Sequence, residues 1–487
     1  MPVVEPKKIS VLNKHLRPLS FNRSAYDPLL HAIGNAQVVL IGDGSHGTYE
    51  FYAHRANITQ RLVEEKGFTA IAVEADWPDA FRVNRYLHGG KMKDETIHSA
   101  RSSLAEFERF PKWMWKNEVM PPFIEYLKSY NDTIMKETND PTRKVSFYGM
   151  DLYSLHRSAE EVLKYLERVD PEGAKKARKR YNCFERFGQD TMRYAYETQF
   201  NLAKDCHQEV LLNLRTLLRN HHQYIQDHFP NNDRSAYHPA EEQFVAEMNA
   251  LVVRDAEEYY RTMMTQDVKS WNLRDDHFAR TLLEITRYLG VTDPEGAILK
   301  EAKIVVWAHN SHIGDARATD MGGRRGEINV GQRCRELFGN DNVFNIGFLT
   351  NRGTVTAAYE WDEPPELFRM NPPIEQSIES EFDKATDNDS FVITHNIENT
   401  AEGYPKKVEI SSELSDFLDK PRYQRFIGVI YRSATEIPSH YSKCSVAQQY
   451  DAVMHIKNSR GIEPLEPEDT WKGLKHVDFD ETFPFGE

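Results

Sequence analysis

The chain alternates short apolar, β-branched runs with long segments of helical periodicity. Four runs predict early and central strands at residues 37–41, 69–73, 144–148 and 303–307. Later runs predict further strands at residues 342–349, 353–359, 391–394 and 426–431. A helix is predicted over residues 49–66, ended by Gly67, so the first two strands form a compact βαβ unit. This alternation predicts the α/β class, with a central, mostly parallel sheet flanked by helices.

The stretch between the third and fourth runs is long and reads as helical. Apolar residues recur there at helical spacing, for example Phe244, Met248 and Leu251. We therefore predict a large helical insertion or cap at residues 157–299. The α/β catalytic core is predicted at residues 25–156 and 300–465, followed by a C-terminal tail at residues 466–487.

Polar residues capable of chemistry follow each of the four early and central runs. They are Asp43 and His46, Glu74, Asp151, and His309 and His312. In an open α/β sheet, ligands bind outside the carboxyl ends of the strands. We therefore expect these side chains to converge on one cleft.

The first of these loops contains a G-x-G-x-x-G pattern made by Gly42, Gly44 and Gly47. Between a strand and a helix, this pattern is the fingerprint of dinucleotide binding. Two features count against that interpretation. Asp43 places a negative charge in a loop meant for pyrophosphate, and Glu74 comes 74 − 47 = 27 residues after the last glycine, later than the usual spacing of about 20.

A second interpretation of the same loop is a histidine at a helix N-terminus. The helix dipole disfavours a protonated ring, and a neutral imidazole can accept a proton as a general base. Glu74 is predicted to hold His46 in the required tautomer. The alternative is that His46 is a structural loop residue beside a capping Ser45.

His309 and His312 lie three residues apart directly after a strand. Such a pair can ligate a metal or donate hydrogen bonds to an anionic intermediate. If a divalent metal is present, its predicted ligands are His46, Glu74, His309 and His312. The HExxH motif of zincins, the G-x-S-x-G elbow of serine hydrolases and the Walker A motif are absent from the sequence.

Composition narrows the possible partners. The formal net charge is 61 − 75 = −14, which argues against nucleic-acid or anionic-membrane binding. No apolar run approaches the roughly 18 residues of a membrane span, and the first residues do not read as a signal peptide. The four cysteines form no CxxC motif and are predicted to be unpaired thiols, as expected of a cytoplasmic protein.

An ordered set of motifs resembles the erythromycin esterase family across roughly residues 25–465. The motifs lie at residues 39–52, 72–77, 307–315, 353–358, 427–432 and 449–452, together with Arg55 and the pair Arg274 and Asp275. The resemblance implies a hydrolase of carboxylic esters, with macrolide lactones as the substrates that give the family its name.

The resemblance also implies roles for individual residues. His46 corresponds to the general base that activates water, and Glu74 to its supporting acid. Arg55, His309 and His312 belong to the same site, and we expect them to stabilise the oxyanion or the leaving alkoxide. Asp43 stands where the family usually has glutamate, so its carboxylate is one methylene shorter.

The sequence therefore predicts an ester or lactone hydrolase with a small-molecule ester as its partner and no obligatory cofactor. Asp43 adds a second carboxylate to the catalytic set, and Asp151 and Arg274 are predicted to bind substrate. Two alternatives stay open. One is a metal-dependent hydrolase that uses the same cluster, and the other is a non-catalytic small-molecule-binding homologue.

Overall fold

The computed structural model describes residues 6–89, 96–228, 239–292, 298–300 and 302–466. The strands are β1 (Arg17–Pro18), β2 (Val38–Ile41), β3 (Ala70–Asp76), β4 (Ser146–Asp151), β5 (Val291–Thr292), β6 (Ile298–Lys300), β7 (Ile304–Trp307), β8 (Val343–Ala357), β9 (Glu366–Arg369), β10 (Ser390–Ile393), β11 (His395–Asn399), β12 (Pro405–Glu409), β13 (Arg422–Arg425), β14 (Tyr441–Cys444) and β15 (Ala452–Ser459). Of the predicted tail, residues 467–487 lie outside the described residues.

Helices make up the larger share of the elements. They are α1 (Pro6–His15), α2 (Asp27–Ile33), α3 (Tyr49–Lys66), α4 (Trp77–His88), α5 (Ala100–Ser103), α6 (Met120–Thr138), α7 (Leu155–Val169), α8 (Pro171–Tyr181), α9 (Thr191–Gln199), α10 (His207–His228), α11 (Pro239–Met263), α12 (Asp267–Leu289), α13 (Asn310–Ile313), α14 (Val330–Phe338), α15 (Ile378–Ala385), α16 (Ser412–Leu418), α17 (Glu436–His440) and α18 (Val446–Gln449). The predicted helix at 49–66 is confirmed as α3.

The chain divides into two compact units. The first unit comprises Met1–Phe68, Phe107–Glu125 and Lys303–Glu487, and the second comprises Thr69–Glu106 and Tyr126–Ala302. The sheet of the first unit has the strand order β1-β10-β15-β8-β2-β7. Its three central pairs, β15 with β8, β8 with β2, and β2 with β7, are parallel. In the second unit β3 and β4 are also parallel.

The predicted α/β class, with a mostly parallel sheet flanked by helices, is confirmed. The strands β2 and β7 consist of apolar residues that are all buried, as expected of parallel strands covered on both faces. Because β2 and β7 are parallel neighbours, the loops that follow them leave the same edge of the sheet.

Three of the predicted strands differ from the structure. The sequence predicts separate strands at residues 342–349 and 353–359. In the structure one strand, β8, runs without interruption from Val343 to Ala357 and includes Gly353. Gly353 adopts φ 121°, and a Cβ there would lie 2.0 Å from the carbonyl oxygen of Ser459, so the glycine allows β15 to approach closely. The predicted strand at 426–431 instead forms isolated bridges from Ile427 to Ser45 and from Ile430 to Ala358.

The prediction of four unpaired thiols is wrong for one pair of cysteines. Cys183 and Cys206 form a disulfide in the second unit, with their Cα atoms 5.8 Å apart. The helical fold brings them within the separation that a disulfide spans, although no local motif connects them. Cys334 and Cys444 are buried free thiols. The cysteines therefore no longer argue for a reducing compartment.

Candidate active site

The loop between β2 and α3 lies directly beside the turn that follows β7. The Gly42 N–H donates to the carbonyl oxygen of Ile346 at 2.8 Å, and the Asn310 N–H donates to the carbonyl oxygen of Asp43 at 2.8 Å. The Asn310 side chain donates from Nδ2 to the carbonyl oxygen of Phe348 at 2.6 Å. These bonds fix the Asp43 backbone relative to His309, which precedes Asn310.

The glycines of the G-x-G-x-x-G pattern are required by contacts inside the protein. A Cβ on Gly47 would lie 1.7 Å from the carbonyl oxygen of Thr356, and a Cβ on Gly42 would lie 2.1 Å from Asn310 Oδ1. The Thr356 N–H also donates to the Gly47 carbonyl oxygen at 3.0 Å. The pattern is therefore explained by tight backbone packing, and no phosphate is needed to account for it.

Asp43 is the centre of the cluster in the first unit. Its Oδ2 atom lies 2.9 Å from Arg55 Nη1, and its Oδ1 atom lies 3.5 Å from His46 Nδ1 and 3.9 Å from His309 Nε2. The side chain is 1% exposed. Burial alone would raise the pKa of Asp43, but the charge of Arg55, together with His46 and His309, holds that pKa below its usual range. Asp43 is therefore a buried carboxylate that stays ionised.

Helix α3 holds both ends of this loop with side chains three residues apart. The Tyr52 hydroxyl donates to the carbonyl oxygen of His46 at 2.9 Å. Arg55 lies with its guanidinium 4.4 Å from the Tyr52 ring centroid and 5.1 Å from that of Trp307. Arg55 is 1% exposed and is the counter-ion of Asp43, while its predicted contact with the oxyanion stays a prediction.

The two histidine rings of the cluster lie side by side, with centroids 4.8 Å apart and planes at 45°. The Ser311 N–H donates to His309 Nδ1 at 3.4 Å, so we assign the proton of the neutral His309 ring to Nε2, which faces Asp43. His46 faces Asp43 through Nδ1, so we assign its proton there. In that tautomer Nε2 is the ring nitrogen that carries a lone pair and can take up a proton.

A second cluster of predicted residues lies in the second unit. Arg274 of α12 donates from Nη2 to Glu74 Oε1 at 2.9 Å, and from Nη2 and Nε to the two Asp151 oxygens at 2.8 and 3.0 Å. Burial alone would lower the pKa of Arg274, but Asp151 and Glu74 hold it well above its usual value. The structure thus brings these three predicted residues together. The roles of Glu74 as partner of His46, and of Asp151 and Arg274 in substrate binding, stay predictions.

His312 is placed by α13 and is almost completely buried. Its backbone N–H donates to the carbonyl oxygen of His309 at 2.9 Å, so the short helix fixes the two histidines relative to each other. Its predicted role at the oxyanion stays a prediction.

Sequence reasoning missed three residues that shape the cluster in the first unit. Tyr52 was detectable, because it lies three residues from Arg55 and so shares its face of α3. Asn310 is adjacent to His309 and was overlooked. Ile427 gave no local signal, yet its N–H donates to the Gly44 carbonyl oxygen at 2.9 Å and its carbonyl oxygen accepts from the His46 N–H at 3.2 Å.

The metal ligands predicted from the sequence, His46, Glu74, His309 and His312, stay a prediction. Within the part of the chain that the structure describes, no group of three or more histidine, cysteine, aspartate or glutamate side chains is arranged to hold a metal ion.

Comparison with known proteins places the chain in a family. The family model described as Erythromycin esterase matches residues 63–459, which is most of the chain. The chain belongs to the erythromycin esterase family. The match begins after the loop of Asp43 and His46, so the assignment of that loop rests on the geometry above. Family membership supports an esterase-like hydrolase.

Two curated relatives illustrate the range of the erythromycin esterase family. Erythromycin esterase type II from Escherichia coli is 22% identical over 80% of this chain and 88% of its own length. The putative hydrolase YbfO from Bacillus subtilis (strain 168) is 22% identical over 62% of each chain.

Solved structures share the fold. A succinoglycan biosynthesis protein superposes with a TM-score of 0.70 at 19% identity, covering 96% of this chain and 100% of that chain. A point mutant of the erythromycin esterase EreC in its open conformation gives a TM-score of 0.58 at 15% identity, covering 93% of this chain and 99% of that chain. At these identities the likeness establishes the fold alone. Among the described residues, no helix is both long and apolar enough to cross a membrane.

Proposed function

We propose that this chain is a carboxylic ester or lactone hydrolase in which His46 activates the attacking water. The observation that carries the proposal is the buried Asp43 carboxylate, which lies 3.5 Å from His46 Nδ1 and is held ionised by Arg55 at 2.9 Å. A carboxylate on one ring nitrogen fixes the tautomer and favours protonation of the other nitrogen. This is the arrangement that a general base requires.

The reaction needs no covalent intermediate with the protein. His46 Nε2 takes one proton from water while the water oxygen bonds to the carbonyl carbon, and the carbonyl oxygen becomes the oxyanion. When the oxyanion collapses, the bond between the carbonyl carbon and the ester oxygen breaks. The leaving alkoxide takes the proton back from His46, so the products are an acid and an alcohol.

The other residues act around this step. Asp43 holds the tautomer of His46 and stabilises the imidazolium while the proton is on the ring. Arg55 keeps Asp43 ionised at neutral pH. His309, whose ring stands beside that of His46, and His312 keep their predicted roles in stabilising the developing oxyanion.

Turnover of a substrate panel by the purified protein tests the proposal. The panel contains aryl esters, alkyl esters, simple lactones and macrolides, because two curated relatives carry the name erythromycin esterase. We expect one of these ester classes to be hydrolysed at a rate that a chelator does not change.

Two other outcomes would overturn the proposal. Stoichiometric bound metal, with turnover lost to chelator and restored by metal, would transfer water activation to a metal-bound hydroxide. Thermal stabilisation by the same compounds without any release of acid or alcohol would make the chain a small-molecule-binding protein.

A further inference from the structure

A segment far along the chain closes one side of the Asp43 and His46 loop. Besides its two backbone hydrogen bonds to that loop, Ile427 buries its side chain completely in a cluster of the first unit. The other members of that cluster are Val355, Ala357, Phe368, Met370 and Tyr431. The segment is therefore fixed both to the catalytic loop and to the core.

Phe426 directly precedes Ile427, but its ring lies against His309 and is not part of that cluster. Its ring is half-buried and stands against the His309 ring, with centroids 6.1 Å apart and planes at 62°. Its backbone is fixed on both sides by His440. The Phe426 N–H donates to the His440 carbonyl oxygen at 2.7 Å, and the ring nitrogen Nδ1 of His440 lies 3.2 Å from the Phe426 carbonyl oxygen.

Arg425, the residue that precedes Phe426, is held firmly in place. Its side chain is buried and donates to the Tyr441 hydroxyl at 2.8 Å and to the carbonyl oxygens of Asn351 and Asn371 at 3.1 and 3.0 Å. Glu436 balances its charge at 2.9 Å. Phe426 is therefore presented to His309 from a fixed backbone.

Gly428 lies two residues after Phe426 and faces open space. A Cβ built on it meets no atom within 4 Å, and its φ lies outside the range that disfavours side chains. An aromatic ring against His309 is thus followed, two residues later, by a glycine at which a side chain would meet open space.

We propose that Phe426 and Gly428 form an apolar wall of the substrate site and determine its specificity. The proposal rests on the hydrolytic function proposed above. The wall selects esters that carry a bulky apolar group next to the carbonyl carbon, because such a group fills the space at Gly428 and packs against the Phe426 ring. Filling or emptying an apolar pocket by a single methylene changes selectivity by about 10–200-fold.

The test compares two aryl esters that share a leaving group, an acetate and a cyclohexanecarboxylate. The measured quantity is the ratio of kcat/KM for the bulky ester to that for the acetate. We expect Gly428→Trp, which fills the open space, to lower this ratio by about 10–200-fold. Phe426→Ala removes the wall and should lower the ratio as well. Leu337→Trp, which adds the same ring at an exposed position of α14, should leave the ratio at the wild-type value.

A binding measurement distinguishes a failure of this proposal from a failure of the hydrolytic one. In a His46→Gln background, calorimetry measures binding of the two intact esters without turnover. We expect Gly428→Trp to abolish the preference for the bulky ester there too. The proposed apolar wall would be contradicted if Gly428→Trp left both the kcat/KM ratio and the binding preference for the bulky ester at the wild-type values. If the binding preference responds while no wild-type turnover exists, the wall stands and the hydrolytic proposal fails.

Discussion

Arg55 Nη1 lies 2.9 Å from Asp43 Oδ2, and each of the two side chains is 1% exposed. Arg55→Met removes the charge that opposes the effect of burial, so the pKa of Asp43 should rise. Catalysis needs Asp43 ionised, and the acid limb of the profile of kcat/KM against pH should therefore move to higher pH. The free energy of unfolding should fall by about 3–5 kcal/mol, because a buried charge loses its partner.

Arg55→Lys is the matched control, since it keeps the positive charge beside Asp43. Its acid limb should stay close to that of the wild type. A folded Arg55→Met protein with an unshifted acid limb would show that the ionisation of Asp43 does not limit the reaction.

Asp43→Asn tests the contact with His46 directly. An amide does not stabilise the imidazolium, so kcat should fall by about 10²–10⁴-fold. The melting temperature should fall as well, because Arg55 is left buried without a counter-ion. Asp43→Glu keeps the negative charge and introduces the glutamate that the family resemblance leads one to expect, and it should retain far more of both activity and stability. Equal activity of the Asn and Glu variants would argue against a carboxylate partner for His46.

Gly47→Ala distinguishes internal packing from a phosphate-binding role of the loop. A Cβ there would lie 1.7 Å from the Thr356 carbonyl oxygen, so the loop or β8 must shift. We expect a loss in the free energy of unfolding that exceeds about 1 kcal/mol. Gly428→Ala, whose Cβ enters open space, should stay within about 0.5 kcal/mol of the wild type. A stable Gly47→Ala protein would contradict the packing account.

His455 predicts how stability depends on pH. The ring is completely buried against Phe382, and neither ring nitrogen has a hydrogen-bond partner among the described residues. Burial, with a smaller contribution from Lys457, lowers the pKa of His455 to about 3. As the pH falls below about 6.5, the unfolded chain binds a proton that the folded protein does not, and stability is lost by up to about 1.4 kcal/mol per pH unit.

His455→Phe should therefore flatten the decline of unfolding free energy between about pH 6.5 and pH 4, as measured by urea denaturation. His221→Phe is the contrasting variant. Glu247 raises the pKa of His221, so His221 contributes stability that is present below about pH 6.5 and is lost as the pH rises. Its removal should lower the unfolding free energy by a constant amount below about pH 6.5 and leave the slope of the acid decline unchanged, so that the pH dependence changes only above about pH 6.5. An unchanged slope in His455→Phe would show that this ring titrates normally in the folded protein.

Much of the fold was predictable because it depends on local periodicity. The run at residues 37–41 contains β2, and the run at 303–307 contains β7. Two errors in the predicted strands share a cause, because each depends on a contact with a segment that is distant in the sequence. Gly353 resembles a turn signal, but the close approach of β15 is what requires a glycine there. Residues 426–431 resemble a sheet strand, but they form isolated bridges, from Ile427 to Ser45 of the catalytic loop and from Ile430 to Ala358.

The sequence predicted which residues gather in the first unit better than it predicted which side chains face each other. Strand-end positions identified Asp43, His46 and His309, and the structure groups them within one unit. The pairing was harder to foresee. The sequence offered Glu74 as the partner of His46, and that contact stays a prediction. The structure places Asp43 beside His46 Nδ1 and pairs Glu74 with Arg274, and neither contact was foreseen. Spacing along the chain does not show which carboxylate a ring nitrogen faces, because that depends on how a loop turns.

The most direct measurement of the central claim is the turnover of the best ester substrate by His46→Gln beside the wild type. The variant keeps a polar side chain of similar length but cannot take up the proton. We predict a fall in kcat of about 10²–10⁴-fold with little change in melting temperature. Turnover within about twofold of the wild type, in a folded protein, would contradict activation of water by His46.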